Sequence, residues 1–134
     1  MLVLVAALAL LAGCDGRENH HTAAEPEHAP TISDLSITVL TPLVLGHQGV
    51  YEFRARFFDL DADLDGGTCA LDTSIGSAAV PLHASDTVSG TVICHFETTV
   101  FGQVATGVFS IEDRHGHVSN GLGFAIPAER RRPR

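Results

Sequence analysis

The sequence predicts an all-β domain, a single antiparallel β-sandwich of about seven strands, on three observations. Apolar residues recur at every second position in five separate stretches, the period of a strand with one face turned inward. Turn-forming residues stand between the stretches: Pro42, Gly46, Gly49, Gly66-Gly67, Gly76, Gly102 and Gly116. No stretch after residue 14 shows the 3.6-residue period of an amphipathic helix. A chain of 134 residues allows one such domain with tails.

The first element is not a strand. Residues 1–13, MLVLVAALALLAG, carry no charge and are almost wholly Leu, Val and Ala. As a helix this run rises about 20 Å, against roughly 30 Å of hydrocarbon, too short to span a bilayer. A buried core helix would show an apolar stripe, whereas this run is apolar all round. It has the length of a signal-peptide hydrophobic region. Leu11-Ala12-Gly13-Cys14, which closes it, resembles the lipobox of bacterial lipoproteins. The resemblance implies a signal peptide over 1–13, lipidation of Cys14, and attachment to a membrane in the bacterial cell envelope, on the periplasmic or cell-surface face. Two or three acyl chains meet the requirement of stable anchoring for more than one lipid signal. No Lys or Arg precedes the apolar run, a departure from the usual signal peptide. Asp15 resembles the inner-membrane retention signal of enterobacterial lipoproteins.

Residues 14–30 read as lipid anchor and tether. From Asp15 the segment has no apolar period, and it holds Pro26, Pro30 and the histidines His20, His21 and His28. A loose histidine cluster lacks fixed ligand geometry, so a hydrated spacer is expected.

The domain follows over 31–128. Leu35, Ile37 and Val39 alternate with Asp34, Ser36 and Thr38. Tyr51, Phe53, Ala55 and Phe57 alternate with Glu52, Arg54 and Arg56. Shorter strands are expected near Thr68–Leu71 and Ala78–Leu82. Val88, Gly90, Val92, Cys94 and Phe96 form the next series, and Ala105, Gly107, Phe109 and Ile111 the one after it. Val118, Asn120, Leu122, Phe124 and Ile126 form the last. Between the final two, Arg114-His115-Gly116-His117 predicts a hairpin turn with Gly116 at positive φ. Residues 129–134 read as a basic, disordered tail.

Two stretches carry a resemblance. Phe58-Asp59-Leu60-Asp61-Ala62-Asp63-Leu64 is similar to the F-x-D-x-D-x-D-L signature of bacterial Ig-like domains of the cadherin-like and PKD-like kind. Residues 111–120, from Ile111-Glu112-Asp113 to Ser119-Asn120, resemble their closing hairpin. The resemblance implies an Ig-like sandwich and leaves the activity open, because such modules serve many roles.

Asp59, Asp61, Asp63 and Asp65 recur at alternate positions before Gly66-Gly67. Carboxylates so close repel unless a cation or an Arg sits among them. Calcium, a hard ion that takes six to eight oxygens, suits such a loop. In an Ig-like sandwich the loop after the second strand and the last hairpin share a pole, so Asp113 and Glu112 are expected to approach. The expected calcium ligands are therefore Asp59, Asp61, Asp63, Asp65 and Asp113. Residues 61–72 also match the EF-hand loop spacing, but a strand precedes them and Asp72 replaces the closing Glu. The competing reading has Arg114 or Arg54 neutralise a solvated acidic loop.

With Cys14 lipidated, Cys69 and Cys94 remain, and an even pair in an exported protein predicts a disulfide. Residues 31–128 hold eleven acids and three Arg, and the whole chain has no Lys. An acidic body argues against nucleic acid as a partner. The tail arginines Arg130, Arg131, Arg132 and Arg134 could touch anionic lipid headgroups. The chain carries no G-x-S-x-G, H-E-x-x-H or Gly-rich phosphate loop, and a non-enzyme is expected. The functional expectation is a lipid-anchored, non-catalytic binding or structural module. Its alternatives are an accessory subunit that binds a glycan or an envelope protein, and a small metalloenzyme using His115 and His117.

Overall fold

The computed structural model describes residues 27–43, 47–98 and 105–126. Cys14, the apolar run before it and the arginine tail lie outside the described residues. Seven strands form: β1 Thr31–Thr41, β2 Gly49–Phe58, β3 Thr68–Thr73, β4 Gly76–Pro81, β5 Ser89–Thr98, β6 Ala105–Glu112 and β7 Leu122–Ile126. They make two antiparallel sheets, one in the order β1-β2-β5 and the other β4-β3-β6-β7. The chain thus crosses between layers from β2 to β3, from β4 to β5 and from β5 to β6. This is an Ig-like sandwich.

Alternation in the sequence becomes the two faces of each sheet. In β2, Tyr51, Phe53, Ala55 and Phe57 are buried, and Arg54 and Arg56 between them are exposed. Val92, Cys94 and Phe96 of β5 and Phe109 and Ile111 of β6 are buried in the same way. Phe53 is the centre of the core. Its ring lies 5.3 Å from Phe96 and 5.0 Å from Phe124, both edge-on, and 5.6 Å from Phe109, stacked. Aromatic rings from both sheets therefore meet on one residue, in the offset and edge-to-face arrangements that the ring quadrupole favours.

The Cys69–Cys94 disulfide joins β3 to β5, with Cα atoms 6.4 Å apart. It ties one layer to the other through the core, where both cysteines are buried.

Three strand-end residues differ from the alternation. Val39, Val88 and Val118 are about half exposed, at 50%, 42% and 53%. In β1 an extra residue shifts the register between Ser33 and Ser36, with Asp34 at φ 54°. This bulge lets Ile32 and Leu35, three positions apart, both reach the core. A second shift follows at Val39/Thr41. Val118 makes only an isolated bridge to Glu112, so β7 begins at Leu122 rather than at Val118.

Candidate metal centre at the acidic pole

Two loops meet at one end of the sandwich: residues 59–67, between β2 and β3, and residues 113–117, after β6. Each begins with a buried aspartate directly after its strand, and each aspartate does the same work. The Asp59 carboxylate accepts the amides of Asp61 at 3.3 Å and Asp63 at 2.9 Å. The Asp113 carboxylate accepts the amides of His115 at 2.8 Å and His117 at 2.9 Å, both on Oδ1. In both cases the donors stand two and four residues on. The side chain replaces the ladder partners that the backbone loses where the strand ends.

Positive φ completes both turns. Ala62 and Gly66 adopt it in the first loop and Gly116 in the second, at 92°, as the sequence predicts. The Arg114 amide donates to the Asp63 carbonyl at 3.3 Å and joins the loops. Gly67 permits this approach, for a Cβ there would lie 2.0 Å from the Glu112 carbonyl oxygen.

Asp63, thrown inward by the cap on Asp59, meets the second loop. Its Oδ2 lies 2.5 Å from His115 Nδ1. Its Oδ1 is buried and has no hydrogen-bond partner. Asp63, Asp113 and His115 each present a ligand atom, all within 4.8 Å of one another. Both carboxylates are buried, and the His115 side chain is 47% exposed.

Charge at the pole is only partly balanced. Burial pushes the Asp59 carboxyl above its ordinary range, and the Asp63 carboxylate beside it adds to the push. Burial also works against ionised Asp113, but the His117 amide and ring and the His115 amide outweigh it and hold that carboxyl low. The hydrogen bond to Asp113 raises the His117 imidazole in turn. His117 Nδ1 lies 2.9 Å from Asp113 Oδ2, and its Nε2 lies 3.1 Å from Glu27.

The other expected ligands are engaged elsewhere. Asp61 accepts the His28 amide and lies 3.3 Å from its ring, and the amide's hydrogen bond holds the carboxyl below the ordinary aspartate range. Asp65 is exposed and accepts the Ala84 amide at 3.4 Å. Of the five aspartates expected to converge, Asp63 and Asp113 stand in the cluster. Asp59 organises the loop beneath them. Neither arginine considered as a neutraliser is paired with the cluster: Arg114 lies 3.7 Å from Asp86 and Arg54 3.0 Å from Glu52.

His115 and His117 turn to different carboxylates, Asp63 and Asp113. The pairing of His115 with Asp63 was not read from the sequence. Fifty-two residues separate them, and only the shared pole brings them together. One local signal exists: an aspartate directly after a strand, with the partner-facing residue two or four places on, occurs in both loops. Compared with family models, curated proteins and solved structures, the chain matches none.

Proposed function

We propose that this chain is a lipid-anchored module of a bacterial cell envelope, non-catalytic, whose sandwich serves binding or structure. The observation that carries the reading is Leu11-Ala12-Gly13-Cys14 at the end of an uncharged apolar run. The Cys69–Cys94 disulfide supports it, since such bonds persist in oxidising compartments outside the cytosol. A cation at the pole orders the two loops in this reading. The aspartate spacing suggests calcium, and the imidazole in the cluster suggests a softer ion.

One observation favours the accessory-subunit version of the role. The outer face of the four-stranded sheet carries a shallow trough lined by Ala70, Asp72, Ser77, Ala79, Val108 and Ser110. Its alanines and serines leave room for a ligand to lie across the strands, with the Asp72 carboxylate at hand as a polar contact.

Fractionation of a bacterial host tests the anchor. The native chain is expected in the membrane fraction, released by detergent and carrying the added mass of a lipidated cysteine. Cys14→Ser is expected in the soluble fraction. A Cys14→Ser protein that stays with the membranes overturns the reading.

A further inference from the structure

We propose that Asp63, Asp113 and His115 bind a zinc-class divalent transition-metal ion, and that calcium is not the ion of this pole. Two independent observations meet here. The first is convergence: three side chains from two loops bring ligand atoms within 4.8 Å. The second is the buried Asp63 Oδ1, which has no donor, in a side chain only 4% exposed. A buried carboxylate oxygen without a partner carries a desolvation penalty that a metal ion removes.

The donor set selects the ion. Calcium takes six to eight oxygens. The cluster offers two carboxylates, and one oxygen of Asp113 already accepts two amides. The carboxylates of Asp59, Asp61 and Asp65 stand outside the cluster. An imidazole with two carboxylates is instead a mixed nitrogen and oxygen set, suited to zinc and its neighbours.

The surroundings match those of a metal ligand shell. Asp113 is steadied by two amides and by the His117 ring, as metal-bound carboxylates are themselves hydrogen-bonded. His117 is itself held by Glu27. The partial exposure of His115 gives an ion a path from solvent and leaves a coordination position for water.

Calorimetry on the full chain in detergent, stripped with chelator, tests the proposal, with Zn2+ alone and Ca2+ alone as probes. One equivalent of Zn2+ is expected to bind with micromolar or tighter affinity and to raise Tm, while millimolar Ca2+ does neither. His115→Ala, at an exposed ring, is expected to keep the strand signal in circular dichroism and to lose at least tenfold in zinc affinity. Asp63→Asn is expected to lose as much. Asp65→Asn, outside the cluster, is expected to bind as the native chain does. Absence of zinc binding, saturable calcium binding in its place, or full zinc affinity in His115→Ala would each overturn the proposal. None of these outcomes depends on whether Cys14 is lipidated, so the anchor stands or falls separately.

Discussion

Asp59 and Asp113 each hold two loop amides with one buried carboxylate, so each loop's shape hangs on a single side chain. Asp59→Ala leaves buried donors without partners and is expected to lower unfolding free energy by about 1–3 kcal/mol. Urea denaturation measures this, and a loss under about 0.5 kcal/mol would show that the cap is dispensable. On the opposite, solvent face of the three-stranded sheet, Glu52 stands between His95 and Arg54, each at 3.0 Å. The hydrogen bond from His95, with that from Arg54, holds its carboxyl below the ordinary glutamate range. The sign follows from linkage. The folded state binds the Glu52 proton more weakly than the unfolded state does, so the contribution is present above the ordinary pKa. It is lost as pH falls through the depressed one. Glu52→Gln is therefore expected to lower Tm at neutral pH and to flatten the acid limb of a Tm–pH profile. An acid limb that keeps its native slope would count against this role.

Loops at the pole work only because two elements approach without side chains between them. Gly67→Ala places a Cβ 2.0 Å from the Glu112 carbonyl. Backbone on both sides cannot give way easily, and a loss of about 3 kcal/mol or more is expected, read by thermal melting. A second junction joins the sheets at their edges. Asn120 accepts the Ile32 amide at 2.8 Å and donates to the Ile32 carbonyl at 2.9 Å. Its amide group thus imitates a strand partner for β1 while its own backbone leads into β7. Beside it, Ser119 receives the Ile111 amide on its hydroxyl and donates its own amide to the Ile111 carbonyl. The Ser-Asn pair of the closing hairpin therefore stitches both layers. Asn120→Ala is expected to lower unfolding free energy by about 1–3 kcal/mol, measured in urea. Asn120→Asp is expected to fare poorly too, since the carboxylate cannot donate to Ile32.

For the molecule as a whole, the disulfide closes a loop of 25 residues between layers that share no hydrogen-bonded strand pair among the described residues. Removing it with Cys69→Ala and Cys94→Ala is expected to lower stability by about 3–4 kcal/mol, mainly through the freed unfolded chain. Equal denaturation midpoints for the oxidised native chain and the double variant would refute that. The fold itself was legible in the sequence. Alternation in β2, β5 and β6 placed Phe53, Phe96 and Phe109 inward because a strand's side-chain period of two is a local property. Gly116 was legible for the same reason, as a turn residue in its own hairpin. The pairing of Cys69 with Cys94 followed from counting, once Cys14 was set aside. The bulge at Asp34 was not legible, because it exists to bring Ile32 and Leu35 to a core built by other strands. Nor was the cluster. The aspartate spacing marked a charged loop, but it could not tell which carboxylates cap backbone amides and which turn inward toward His115. That choice depends on atoms 52 residues apart in the chain, and local pattern holds no information about such distances. By itself the sequence determined strands, faces, turns and the cysteine pair, all governed by neighbouring residues. Tertiary structure alone decided the ligand set, because burial and convergence exist only once the two sheets have closed.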